Sequence, residues 1–184
     1  MTVDAPEEST RTRLLEATNA AVARSGPRKV SLSDVAALAG VSRPTLYRYF
    51  GSKGELLLAL AAYEKERFET LLAAALDGLT GAVRLDRAMR FIIEFQADYA
   101  NRGLVVVEPA FMLDQLARAL RTMAASLVPL FEDVDPGEGG GAMTSADKAD
   151  LVVRIALSHF LIQGDDDQLL RELRHAAGLD RTNS

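Results

Sequence analysis

Apolar residues return along this chain mainly at intervals of three and four, the period of a helix, and nowhere alternate convincingly as in a strand. The spacing of Leu14, Leu15, Thr18, Ala21, Val22 and Ser25 predicts a first helix from Ser9 or Thr10, stopped by Gly26-Pro27. Ser31-Leu32-Ser33-Asp34 reads as an N-cap, with Asp34 standing where a Glu or Gln is usual. The helix it opens carries Val35, Ala36, Leu38 and Ala39 up to Gly40, which can take the left-handed conformation that ends a helix. Ser42 is a further N-cap, with Pro44 in the first turn, for a two-turn helix from Arg43 to about Tyr49. Its inward face is Leu46 and Phe50, and Arg43, Thr45, Tyr47, Arg48 and Tyr49 are expected to point outward. Ser52, with Glu55 completing a capping box, opens a fourth helix from Lys53 to about Leu76. Leu56, Leu57, Leu60, Tyr63, Phe68, Leu71, Leu72 and Ala75 mark its buried sides.

The rest of the chain keeps the same period. Leu85, Ala88, Met89, Ile92, Ile93, Phe95 and Tyr99 predict a helix over about 84–100, and a short apolar run, Leu104–Val107, follows Gly103. A longer helix is expected from about Glu108 to Phe131, with Pro129 disturbing its last turn. Residues 132–143 are rich in Gly and acids and read as a surface loop. Helices over about 145–163 and 165–177 close an all-α chain without internal repeats.

Charge divides this helical chain in two. Residues 1–54 hold eight basic and five acidic groups, net +3, whereas the remaining residues hold 13 basic and 21 acidic groups, net −8. Without the first eight residues the basic unit reaches +6. A small basic unit attached to a larger acidic one suggests a nucleic-acid reader joined to a second module. The overall net charge of −5 excludes a uniformly basic coat. The absence of cysteine removes disulfides, thiol catalysis and Cys-based metal sites, and two histidines, His159 and His175, are too few for a His-rich centre. No Ser-His-Asp order, Gly-rich phosphate loop or metal-ligand spacing points to an enzyme. Asp165-Asp166-Asp167 sits at a helix start, where acids answer the helix dipole, so no cation site is read there. His175 is expected to face solvent. The N-terminus lacks the basic-then-apolar order of a signal peptide and no stretch approaches a membrane span, so a cytoplasmic protein with no cofactor is expected.

A short capped helix, a Gly turn and a second short capped helix make a helix-turn-helix. Ala36, Leu38, Val41, Leu46 and Phe50 are its expected packing core. The second helix is rich in groups that contact DNA: an Arg reaches guanine O6 and N7 bidentately, and a Thr offers a hydroxyl or a methyl to a base edge. Tyr47 and Tyr49 can give hydroxyls to phosphates, and Lys53 stands at a helix N-terminus.

The run Val35-Ala36-Ala37-Leu38-Ala39-Gly40-Val41-Ser42-Arg43-Pro44-Thr45-Leu46-Tyr47-Arg48-Tyr49-Phe50-Gly51-Ser52-Lys53-Gly54-Glu55-Leu56 closely resembles the DNA-binding signature of the TetR (tetracycline-repressor-like) family of bacterial regulators. The resemblance covers roughly residues 9–60. It implies an N-terminal helix-turn-helix three-helix domain over 1–54, joined through the long fourth helix to a helical effector-binding and dimerisation domain over 55–184. Ser42 through Tyr49 would form the recognition helix and its cap. Arg43 and Thr45 would read bases, with Arg48 joining them or pairing structurally. Tyr47, Tyr49 and Lys53 would clamp phosphates, and Ser31, Ser33 and Arg11 would also meet the backbone.

The resemblance further implies a homodimer on a near-palindromic duplex operator, released by a small, largely apolar effector, with no membrane or enzymatic role. The last two helices resemble the family's dimerising pair, with Leu151, Ile155, Phe160, Leu169, Leu170 and Leu173 as interface candidates. The middle helices correspond in position to the ligand domain. Candidate pocket residues are Phe91, Phe95, Tyr99, Phe111, Met112, Leu116 and Met123, with Gln96, Gln115 and His159 as polar anchors. The alternative is a constitutive or partner-regulated DNA-binding dimer with no small-molecule pocket.

Overall fold

The computed structural model describes residues 5–97, 109–134, 143–162 and 164–179, with side chains described from Ser9 onward. Tyr99, the Leu104–Val107 run and residues 135–142 of the expected loop lie outside the described residues. The described residues contain helices and turns and no strand, and no described helix is long and apolar enough to cross a membrane. The helices are α1 (Ala5–Ser25), α2 (Leu32–Leu38), α3 (Arg43–Tyr49), α4 (Lys53–Ala75), α5 (Gly81–Ala97), α6 (Pro109–Val134), α7 (Ser145–Leu161) and α8 (Asp166–Ala177).

The chain forms two compact units, which divide inside α4, between Glu66 and Arg67, and inside α6, between Phe111 and Met112. In the first unit, Leu14, Leu15, Ala21 and Val22 of α1 are buried with Val35 and Ala36 of α2, Leu46 of α3 and Leu56 and Leu60 of α4. Glu16 accepts from the Tyr63 hydroxyl at 3.4 Å and Asn19 donates to Glu64 at 3.2 Å, so polar contacts flank the apolar seam between α1 and α4. Leu38, expected in the core, is 46% exposed instead. It is the last residue of α2, and the turn begun at Ala39 carries the chain inward through Ala39 rather than through Leu38. Leu71 of α4 is likewise exposed, because Phe68 and Leu72 already occupy the inward side.

The second unit packs α5, α6, α7, α8 and the end of α4 around one core. Leu85, Met89 and Ile92 meet Leu127 and Phe131 of α6, Val152 and Val153 of α7, and Leu169 and Leu173 of α8. Arg174 of α8 donates to Asp86 of α5, which also accepts from Arg90 at 3.2 Å. Two of the expected helix limits shift for physical reasons. Helix α5 starts at Gly81 rather than at 84, and the Asp133 carboxylate accepts from the Gly81 N–H at 2.9 Å. Helix α6 runs past Pro129 to Val134. An interior Pro costs about 3 kcal/mol, but burying each side chain such as Leu127, Leu130 and Phe131 returns about 1.5–3 kcal/mol.

A candidate nucleic-acid interface

The turn that joins α2 to α3 is a Schellman closure. Val41 N–H donates to the Ala36 carbonyl at 3.0 Å and Gly40 N–H to the Ala37 carbonyl at 3.2 Å, with Gly40 at φ +66°. Only glycine takes that conformation without strain. Ser42 then starts α3 by accepting from the Thr45 N–H at 3.2 Å. With Leu46 and Phe50 turned into the core, helical geometry sends Arg43, Tyr47 and Arg48 to solvent, and all three are exposed.

The other expected contact residues are distributed around this face with different freedom. Thr45 is half-buried and its hydroxyl lies 2.8 Å from the Ser42 hydroxyl, so both oxygens are already engaged in the cap. The Arg48 guanidinium stands 5.4 Å from the Tyr49 ring centroid, and Tyr49 is half-buried beside Phe50. Arg11, from α1, lies 5.9 Å from the Phe50 ring centroid, which brings its charge to the end of α3.

Two residues expected to meet phosphates, Ser31 and Lys53, hold hydrogen bonds within the protein. Ser31 forms a full capping box with Asp34: its hydroxyl donates to the carboxylate at 2.7 Å and accepts from the Asp34 N–H at 3.1 Å. The Ser31 hydroxyl is thus engaged locally, while Ser33 is half-buried one turn position on. The Ser31 hydroxyl, then its N–H and the nearby Arg24 charge, hold the Asp34 carboxyl below the usual carboxylate range. Lys53 donates from Nζ to the Arg28 carbonyl at 2.9 Å, which ties the start of α4 to the α1–α2 turn. Glu55 closes its cap one residue earlier than expected, accepting from the Gly51 N–H at 3.1 Å while Ser52 accepts from the Glu55 N–H at 3.1 Å.

One structural residue escaped the sequence reading. Arg13 donates from Nη2 to the Ala39 carbonyl at 3.0 Å, 26 residues away, and so fastens α1 to the end of α2. No local pattern signals a partner at that separation.

Residues 14–60, the stretch that builds this interface, match the family described as bacterial regulatory proteins, tetR family. Residues 14–60 carry the TetR-family signature. Among curated relatives, the HTH-type transcriptional repressor LfrR of Mycolicibacterium smegmatis is 36% identical over 85 residues, which are 46% of this chain and 43% of the relative. The chain thus spans less than half the length of the curated relatives it matches. Whole-chain likeness comes from solved structures. GusR of Salmonella enterica superposes with a TM-score of 0.60 at 26% identity, covering 99% of this chain and 95% of that one. FadR of Bacillus subtilis, solved in complex with stearoyl-CoA, gives a TM-score of 0.64 at 16% identity over 94% of this chain and 98% of that one, a likeness of fold.

In the second unit the TetR-like interface and pocket candidates separate by burial. Leu169 and Leu173 lie inside the core of their own unit, and Phe160 is buried as well, so these three do not present surface to a partner. Leu151, Ile155 and Leu170 are only partly buried. Leu151 and Ile155, with Ala176, line an open depression of about 500 Å³ between α7 and α8, rimmed by Arg171, Glu172 and His175. His175 is exposed, as expected.

Of the pocket candidates, Phe91 forms a closed aromatic triad with Phe68 and Phe95, centroids 5.2–5.7 Å apart, with the Arg67 guanidinium 5.5 Å from the Phe95 ring. Gln96, Met112 and Met123 are buried, Gln115 and Leu116 partly so, and Phe111 belongs to the first unit. His159 meets Asp166 at 3.2 Å, at the α7–α8 connection rather than among the aromatic rings. Asp165 caps α8 by accepting from the Asp167 N–H at 3.0 Å, the helix-start role read from the sequence.

Proposed function

We propose that this chain is a homodimeric transcriptional repressor that binds a near-palindromic duplex operator and is released from it by a small, largely apolar effector. The observation that carries the reading is α3 itself: a capped two-turn helix with an apolar inner face and Arg43, Tyr47 and Arg48 on its outer face. Arg43 reads a guanine edge, Thr45 offers its methyl, and Tyr47, Tyr49, Lys53 and Arg11 hold the phosphate backbone, with Arg48 reading a base or bracing Tyr49. Residues 1–54 serve DNA, and residues 55–184 serve dimerisation and the effector. A protein of this kind works on chromosomal DNA, in the cytoplasm.

One recognition helix offers few contacts, so selective binding calls for two of them about one helical turn apart, ~34–36 Å. The α7–α8 depression supports a second copy as the partner. Its apolar floor of Leu151, Ile155 and Ala176 can meet itself across a two-fold axis, and Arg171 and Glu172 on the rim can pair with each other's mates. The effector reading draws support from the fold neighbour FadR, whose structure carries stearoyl-CoA, and from the apolar character of the second unit's core. Effector binding acts by favouring a separation of the two recognition helices that no longer fits the operator. A ~100-fold loss of operator affinity needs about 2.7 kcal/mol of coupling.

The aromatic triad favours a second reading, a constitutive or partner-regulated dimer, because Phe68, Phe91 and Phe95 already satisfy one another. A native mass spectrum of freshly purified protein separates the two. A dimer carrying a discrete small-molecule mass supports the effector-released repressor, and a clean dimer whose operator binding survives every apolar extract supports the constitutive form. A monomer that binds a single half-site as tightly as a full site overturns both.

A further inference from the structure

The α1–α2 turn is a basic apex held on a rigid base. Val30 N–H donates to the Gly26 carbonyl at 3.2 Å, closing the turn, and Gly26, Pro27 and Val30 are buried beneath it. Arg28 and Lys29, at the apex, are exposed, and Arg24 is exposed one turn earlier on α1. The Lys53 Nζ to Arg28 carbonyl bond at 2.9 Å joins this apex directly to the start of α4. Arg24, Arg28 and Lys29 thus stand exposed on or beside the turn to which Lys53 is bonded. Asp34 is the acid whose charge is set against Arg24. The acids of the α1–α4 seam, Glu16 and Glu64, face Tyr63 and Asn19 instead, and Glu55 is turned to the Gly51 N–H.

We infer that Arg28 and Lys29, aided by Arg24, form a second phosphate-binding surface for duplex DNA, separate from the recognition helix. The inference rests on the DNA-binding reading of α3 and extends it to Arg24, Arg28 and Lys29, to which that reading gives no role. A guanidinium and an ammonium on a short closed turn lose little freedom on binding, and each neutralised phosphate releases counterions from the duplex. Because Lys53 shares a hydrogen bond with the turn, a phosphate held at Lys53 brings the neighbouring phosphates of the same strand within reach of the apex. This surface reads no base. It adds affinity alike for every sequence and sets how far the footprint extends past the half-site.

The test uses a duplex selected from a randomised pool by the intact protein, and a random-sequence duplex of the same length. Wild type, the neutralised variant Arg24→Gln/Arg28→Gln/Lys29→Gln and the charge-retaining variant Arg28→Lys/Lys29→Arg are titrated across a salt series, with phosphate-ethylation interference on the selected duplex. The neutralised variant is expected to bind both duplexes on the order of tenfold more weakly, and its salt slope to fall by about 0.9 per lost contact. Ethylation at one or two phosphates that blocks wild type is expected no longer to affect it, and the charge-retaining variant is expected to restore both readouts. An unchanged salt slope, or an unchanged interference pattern, overturns the inference while leaving α3 as the DNA reader. If wild type binds neither duplex in a salt-dependent way, the DNA-binding reading fails and this surface fails with it.

Discussion

The guanidinium of Arg13 and the carbonyl of Ala39 meet at 3.0 Å, joining the third turn of α1 to the residue where α2 ends. That carbonyl belongs to the turn that aims α3, so the bond bears on the placement of α3 without touching it. Arg13→Met is expected to lower stability by about 1 kcal/mol, discounted for its exposure, and the melting temperature by about 2–4 °C. A thermal melt followed by circular dichroism checks this, and an unchanged midpoint would remove the role assigned to Arg13.

Gly40 tests the turn itself. A Cβ built at this position meets nothing within 4 Å, so Gly40→Ala is destabilising only through its left-handed backbone at φ +66°. The expected loss is about 1–2 kcal/mol, with Gly40→Asn losing less because Asn tolerates that region better. Equal losses for Ala and Asn in urea melts would point to a cause other than backbone strain.

On the outer face of α3, Arg43 and Tyr47 should separate reading from holding. Arg43→Ala is expected to cost about 1–3 kcal/mol against the selected operator and to flatten the preference at one base pair. Tyr47→Phe removes a hydroxyl from a side chain that is 47% exposed, and is expected to weaken all sequences alike. Binding to a set of singly substituted operators distinguishes the two patterns. The assignment fails if Tyr47→Phe alters base preference or Arg43→Ala leaves it intact.

Asp86 carries a pH signature. Its carboxyl is held below the usual carboxylate range by the hydrogen bond from Arg174, then by Arg90, against partial burial that acts the other way. A carboxyl depressed in the folded state contributes stability above its unfolded pKa, about 3.9, and loses it as pH falls through the lower folded value. Asp86→Asn is therefore expected to be less stable than wild type at pH 7, with the gap closing as pH drops below about 4. Urea melts at several pH values measure it, and a gap independent of pH would contradict the ion-paired role.

The two faces of the α7–α8 hairpin predict opposite outcomes for the same kind of substitution. Ile155→Asp places a carboxylate on the open depression and is expected to give a folded monomer with weakened operator binding. Leu173→Asp buries a charge at a fully buried position, at a cost of several kcal/mol, and is expected not to fold. Sedimentation and circular dichroism on both variants decide it: a folded dimer of Ile155→Asp would move the interface elsewhere.

Much of this molecule is written in local sequence. Caps at Ser31, Ser42 and Ser52, the turn at Gly40 and the inward Leu46 and Phe50 all follow from interactions between residues a few positions apart, and the helices of the first unit end where those signals lie. Of the five residues expected outward on α3, Arg43, Tyr47 and Arg48 are exposed by the same short-range geometry, while Thr45 and Tyr49 are half-buried, Thr45 beside the Ser42 cap and Tyr49 beside Phe50. Tertiary structure decided what periodicity leaves open. Leu151 and Leu173 lie on apolar stretches of equal promise, yet packing against α5 buries Leu173 completely and leaves Leu151 at a surface depression. Pro129 stays inside α6 because the core around Leu127, Leu130 and Phe131 outweighs one missing hydrogen bond. Lys53 and Arg28, 25 residues apart, share a hydrogen bond that only the closed α1–α2 turn could create. Local signals act over a helical turn and are read from one strand of sequence, whereas burial and long-range pairing depend on which elements the fold brings together.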